Sequence, residues 1–333
     1  MKRSMHRIIA ALAALVLLVS VFALSGCKKE KREHTEKDQQ DFENALVEAG
    51  IFKNTWQDAL PQTVIYQLID NHFKAPLPEG KTQKKALVIG YDGCRADLFA
   101  HLDSSKPSAI STLLSQGGSA VLSYAGGVNF PAKNTQATST NPGWCSMLTG
   151  VWADVHGITG NGVVKSNDYL TLLTSLVEDG TIDSSAFYVS WDGHFVDHNS
   201  VYILEKRYAQ DMGLNVNFVD AKDDDGTKAN ILNDLVKPDC SDFIFSTLEY
   251  TDHEGHSSGF TPDNPKYLAA FYDAEATGEE LLTAVHTRET YAQEDWLILI
   301  TTDHGGWLTG HGGSTLEERI TFIVSNQGEI SGS

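Results

Sequence analysis

Cysteine, positive charge and internal repetition are all in short supply in this chain. Its 333 residues hold four cysteines, and three of them, Cys94, Cys145 and Cys240, are too few and too scattered to make a disulfide framework. One bridge, formed outside the cytoplasm, is the most they allow. Lys and Arg number 25 against 44 Asp and Glu, a formal net charge of −19 at pH 7. So acidic a surface disfavours binding to a nucleic-acid groove, which draws on neutralisation of phosphates by Lys and Arg. It also leaves any anionic substrate to be held by local features such as metal ions. No internal repeat is present, no basic or aromatic motif marks a nucleotide pocket, and residues 138–161 contain no Arg.

What is present begins with a leader. Lys2, Arg3 and Arg7 precede the apolar run IIAALAALVLLVSVFAL, and LSGC then ends at Cys27. A plain membrane anchor would need about 20 apolar residues, and this run is shorter. The segment resembles a bacterial lipoprotein signal. That resemblance implies cleavage before Cys27, lipidation of its thiol, and an extracytoplasmic protein held on a bacterial membrane by lipid. Residues 1–26 hold three basic and no acidic side chains, so the remainder carries a net −22. The next stretch, KKEKREHTEKDQQ, is charged and poor in apolar residues, and is expected to be a disordered tether over 27–40.

Residues 41–82 read as an N-terminal helical extension, with helices near 40–49 and 62–74. The turn-rich APLPEGKTQKK then leads into the main domain, 83–333. There, short apolar runs (ALVIGYD, SAVLSYA, SAFYVSW, NVNFVD, DFIFSTLEY, DWLILITTD, ITFIVSN) alternate with helical patterns such as SNDYLTLLTSLVEDG, where Ser166 reads as an N-cap and Gly180 as a stop. Nearly continuous apolar strands alternating with helices predict an α/β fold with a largely parallel sheet covered on both faces. In such sheets ligands bind beyond the carboxyl ends of the strands. The chain stops soon after ITFIVSN, so terminal strands or a further domain are expected to lie outside it.

Three of these runs end in an Asp. ALVIGYD ends in Asp92, DFIFSTLEYTD in Asp252 with His256 four residues on, and DWLILITTDH in Asp303 and His304. A Gly-rich loop then brings His311. Asp and His together suit Zn²⁺ or a similar first-row divalent ion. Singly, each Asp reads equally well as a turn or cap residue and each His as surface; only their joint placement at one sheet edge points to a metal cage. Asp192, His194, Asp197 and His198 in SWDGHFVDHNS read as a loop after a strand, Cys94 and Cys145 as core thiols, and the acids and Arg of STLEER as orienting the His311 loop.

Over residues 87–322 the sequence resembles the alkaline phosphatase superfamily, and within it the type I phosphodiesterase/nucleotide pyrophosphatase branch. The resemblance is carried by Thr140 two residues before Pro142, the LTG and HGI that follow, and the Asp and His motifs in order. It implies a three-layer α/β/α fold and two divalent metal ions, zinc or manganese. One would be held by Asp92, Asp303 and His304, the other by Asp252, His256 and His311. It further implies Thr140 as nucleophile, capping a helix, and Asn161 as phosphate ligand. The substrate would be a small-molecule, lipid or sugar phosphate ester. The branch's usual Phe-Pro-Asn-His after the Thr reads NPGW here, and Thr138 and Ser139 are neighbouring hydroxyls. A phosphomonoesterase or phosphoalcohol transferase shares the same cage. A sulfatase fits less well, because Thr140 stands where its Cys or Ser would be and Trp144 where its Arg would be. A non-catalytic surface lipoprotein is the alternative outside enzymes. The neutral Asn161 and the missing Arg favour diesters over monoesters.

Overall fold

The computed structural model describes residues 32–196 and 198–330. The leader with Cys27, and Asp197, lie outside them. Residues 37–333 form one compact unit; of the other, Met1–Glu36, only residues 32–36 are described. The described residues contain eight strands: β1 (Leu60–Pro61), β2 (Gln83–Tyr91), β3 (Ser119–Tyr124), β4 (Ser185–Val189), β5 (Val216–Asp220), β6 (Phe243–Leu248), β7 (Glu294–Thr301) and β8 (Ile320–Ser325). They form one sheet in the order β1-β3-β8-β7-β2-β6-β4-β5. Every pairing is parallel except the two made by β8, with β3 and β7.

The helices in chain order are α1 (Glu36–Ala49), α2 (Val64–Lys74), α3 (Ala109–Ser115), α4 (Thr140–Thr149), α5 (Ala153–His156), α6 (Leu172–Glu178), α7 (Ile203–Asp211), α8 (Asp224–Leu235), α9 (Tyr250–Ser258), α10 (Pro265–His286) and α11 (Leu316–Arg319). They cover both faces of the sheet. Successive side chains of a strand point to opposite faces. Leu87, Ile89 and Tyr91 of β2 therefore join Phe271, Leu281 and Val285 of α10, while Ala86 and Val88 join Trp144 and Leu148 of α4. This two-sided burial explains why the strands read as almost unbroken apolar runs. Among the described residues no helix is long and apolar enough to cross a membrane.

Three details depart from the sequence reading. Helix α1 starts at Glu36, inside the segment read as tether. Pairs four residues apart support its exposed face: Lys37 with Asp41, Gln39 with Glu43 at 2.8 Å and Gln40 with Asn44 at 3.1 Å. Residues 41–82 are woven into the main unit, since β1 pairs with β3 and Ile65 and Ile69 of α2 are buried in the core. Ser166 caps nothing; α6 begins only at Leu172, after the N-cap Thr171. Tertiary partners claim the stretch between. Buried Lys165 donates to the carbonyls of Ser166 (3.1 Å) and Tyr169 (2.6 Å), and the Thr171 N–H and hydroxyl both donate to Glu205.

Candidate active site

Strands β7, β2 and β6 are neighbours, so Asp303, Asp92 and Asp252 emerge side by side at one sheet edge. Asp92 directly follows strand β2, and Asp303 lies two residues beyond the end of β7. Asp252 lies in the first turn of α9, and His256 follows one turn later on the same side, as a spacing of four requires. His311 arrives on the loop between β7 and α11. His304 Nε2 lies 3.4 Å from Asp92 Oδ1 and 3.3 Å from Asp303 Oδ2. Asp252 Oδ2 lies 3.4 Å from His256 Nε2, and its Oδ1 is 3.8 Å from His311 Nε2. The six side chains expected from the sequence thus converge. Ligand atoms of Asp92, Asp303 and His304 all fall within 4.8 Å of one another, as do those of Asp252, His304 and His311. His304 and His311 also stack, with ring centroids 4.0 Å apart, so the two groups are continuous.

The donor set suits cations on three counts. First, each histidine has its Nδ1 against a backbone carbonyl: Thr309 O for His256 (3.1 Å), Gly305 O for His304 (2.7 Å) and Thr138 O for His311 (3.0 Å). A carbonyl only accepts, so Nδ1 carries the proton and the Nε2 lone pair faces the carboxylates. Second, Asp92 Oδ1, Asp252 Oδ1, Asp303 Oδ2 and His304 Nε2 are buried with no hydrogen-bond partner among the described residues. The Nε2 atoms of His256 and His311, both lone-pair bearing in this tautomer, stand only 3.1 Å apart. Third, no Lys or Arg among the described residues is a main influence on the carboxylates. Burial, followed by the charges of Asp303, Asp252 and Glu249, pushes the Asp92 carboxyl well above its usual range, and burial followed by Asp252 does the same to Asp303. Burial also raises Asp252, which the three histidines around it partly oppose. Burial holds His304 well below the ordinary imidazole value and lowers His311. The acids are held away from their charged state until positive charge enters, and the two imidazoles are held neutral, the form that ligates a metal.

Thr140 begins α4 but does not cap it. Ser139 is the N-cap, with extended backbone and no side-chain cap bond, and Thr140 is the first helical residue. Only 4% of its surface is exposed, and its hydroxyl makes no hydrogen bond among the described residues. The helix is pressed against the carboxylate cluster: a Cβ on Gly143 would stand 2.7 Å from Asp303 Cβ, so no larger residue fits there. Asn161 is also at the helix start, where its Oδ1 accepts the Asn141 N–H at 3.0 Å and leaves its Nδ2 as the free donor.

Other expectations resolve simply. Cys94, Cys145 and Cys240 are free thiols, and all three are buried. His194 is fully buried among Phe187, Trp191 and Tyr202, away from the cage. In STLEER the acid that supports the His311 loop is Glu318, which accepts the Gly313 N–H at 2.7 Å and closes a capping box with Thr315. Sequence reasoning passed over Trp144 as a partner of Asp92, at 3.0 Å, and Thr138 and Ser139 as partners of His311. Contacts between residues 52 and 173 positions apart leave no spacing signature.

A sequence model of the type I phosphodiesterase / nucleotide pyrophosphatase family matches residues 86–307, two thirds of the chain. A search of curated proteins gives no match. Among solved structures, murine ectonucleotide pyrophosphatase / phosphodiesterase 5 is 19% identical, with 66% of this chain and 57% of that chain covered and a TM-score of 0.46. The phosphonate monoester hydrolase of Agrobacterium radiobacter is 14% identical (73% and 68% covered, TM-score 0.45). Phosphonoacetate hydrolase from Sinorhizobium meliloti 1021 is 18% identical (67% and 56% covered, TM-score 0.43).

Proposed function

Because the chain belongs to the type I phosphodiesterase / nucleotide pyrophosphatase family, we propose that it hydrolyses phosphate diesters through a covalent intermediate on Thr140. The reading rests on one observation: six Asp and His side chains gather with unspent lone pairs beside a helix start that offers an unbonded hydroxyl. Asp92, Asp303 and His304 would hold one divalent cation, and Asp252, His256 and His311 the other. Three N and O donors with an open position is the donor number of catalytic zinc sites. When bound, such a pair supplies Lewis acidity and positive charge to the attacking and leaving oxygens of an in-line displacement.

Thr140 Oγ1 forms the new bond to phosphorus as the ester P–O bond breaks; its proton passes to solvent and the departing oxygen gains one. Water then hydrolyses the phosphothreonine and restores the hydroxyl. The positive end of α4 favours negative charge over its first turn. Asn161 Nδ2 donates to a non-bridging oxygen whose charge grows in the transition state.

Protein purified without chelator is expected to hold about two zinc or manganese equivalents and to turn over bis(p-nitrophenyl) phosphate. Thr140→Ala should lose several orders of magnitude in rate with its metal retained. Ser139→Ala should be mild, because Thr138 O still accepts from His311 Nδ1. A fully active wild type without metal, or a fully active Thr140→Ala, would falsify the reading. We further propose that Cys27 is acylated, on the strength of LSGC and the charged stretch after it. Fatty-acid labelling in a bacterial host should vanish in Cys27→Ala, and labelling that persists there overturns the anchor.

A further inference from the structure

We infer that residues 138–144 position one ligand of each cation set: Asp92 through Trp144, and His311 through Thr138 and Ser139. This rests on the two-cation reading above. Trp144 is fully buried in α4, and its Nε1–H donates to Asp92 Oδ2 at 3.0 Å. An indole N–H can only donate, so the bond occupies one carboxylate oxygen. Oδ1 is left without a partner and turned toward His304 Nε2, 3.4 Å away. The indole reaches Asp92 only because position 90 of β2 is Gly: a Cβ there would stand 2.5 Å from Trp144 Cη2 and 2.7 Å from Ser246 O. The strand that leads into Asp92 is cut away to admit the ring that orients it.

The other end of the segment grips the His311 loop at three successive residues. Thr138 O accepts the His311 Nδ1–H at 3.0 Å, and Ser139 Oγ lies 3.2 Å from the same nitrogen. The Thr138 hydroxyl accepts the Gly312 N–H at 3.0 Å and donates to Gly313 O at 3.0 Å. Thr138 is fully buried, so these bonds do not compete with bulk water. Glu318 on the Gly313 N–H and Asn134 on Gly313 O hold the loop one residue further on, and neither bond reaches His311 or Gly312. The Thr138 hydroxyl therefore fixes the backbone next to His311, while its carbonyl fixes the ring. Thr140 sits between the two grips, which ties the proposed nucleophile to both sets through one short piece of chain. Trp144, Thr138 and Ser139 act through Asp92 and His311, and are positioning residues.

Losing a partner that orients a metal ligand typically lowers metal affinity by about 10–100-fold. The test is zinc titration of the full chain after metal removal, in backgrounds where one set is disabled. With His311→Ala present, Trp144→Phe, which keeps a ring but no N–H, should weaken the remaining affinity by about 10–100-fold. With Asp92→Asn present, it should change nothing. Thr138→Val should behave in the opposite way, weakening binding in Asp92→Asn and not in His311→Ala, and Thr138→Ser should restore it. A second readout leaves residues 138–144 untouched: the Trp144 indole ¹⁵N–¹H resonance should shift as zinc enters the wild type and stay still in Asp92→Asn. A wild type that binds two zinc ions, with variants that weaken neither set or both sets equally, overturns the inference alone. A wild type that binds no zinc overturns the two-cation reading and the inference with it.

Discussion

Glu275 is a carboxylic acid buried inside α10, where it accepts the Tyr91 hydroxyl at 2.9 Å, the Ser108 hydroxyl, and the Ile110 N–H at 3.2 Å. Burial outweighs these three donors and raises it to about 7 from an ordinary 4.5. The folded state therefore keeps the proton after the unfolded chain has lost it. The stability this contributes is fully present below about pH 4.5 and is lost as the pH rises through about 7. One pKa unit is 1.36 kcal/mol, so the loss is on the order of 3 kcal/mol. Denaturant unfolding of wild type and Glu275→Gln between pH 4.5 and 8 should show the wild type losing stability relative to the variant as pH rises. Parallel profiles would sink the assignment. Nothing in the sequence around Glu275 announces this role, because all its partners come from elsewhere in the chain. The Asp and His of the cage were legible for the opposite reason: each ends a readable strand or follows one closely. Which histidine nitrogen faces inward was not legible, since it depends on three backbone carbonyls supplied by folding.

At the scale of elements, six of the eight described strands were legible because burial on both faces forces an apolar run, and the edge strand β5 because Val216, Phe218 and Val219 still stand out between polar residues. The two-residue β1 carries too little signal, and its pairing with β3 is a tertiary fact. The boundaries of α4 and α6 were misread where side chains serve distant partners. The stretch before α6 shows this through the Lys165–Glu205 pair, 2.9 Å apart with both side chains almost wholly out of solvent. Lys165 anchors the chain just after Asn161, and Glu205 lies in α7, so the pair ties the loop that presents Asn161 to a helix of the scaffold. Breaking a buried pair by removing one partner costs about 3–5 kcal/mol, because the other charge is stranded. Lys165→Met and Glu205→Gln should each lower the unfolding free energy from denaturant titration by that much, and the double variant should cost less than the sum of the two. Strict additivity would show that the two residues act separately.

At the scale of the whole molecule, charge decides which ester fits. The chain carries a formal −19, and the groups acting most strongly on Asp92, Asp252 and Asp303 are other carboxylates and histidines, with no Lys or Arg among them. The phosphate would therefore meet two cations and the neutral Asn161, inside a negative long-range field. A monoester dianion brings one more negative charge than a diester. It is repelled more strongly on approach and is less well matched on arrival. Bis(p-nitrophenyl) phosphate should accordingly give a higher kcat/KM than p-nitrophenyl phosphate on one metal-quantified preparation. The long-range part of that preference should respond to salt, because the Debye length falls from about 30 Å at 0.01 M to about 3 Å at 1 M. Raising the ionic strength should narrow the ratio without reversing it. A ratio that ignores salt would assign the preference to the site alone. A monoester preferred at every ionic strength would overturn the diesterase reading and make the same cage that of a phosphomonoesterase.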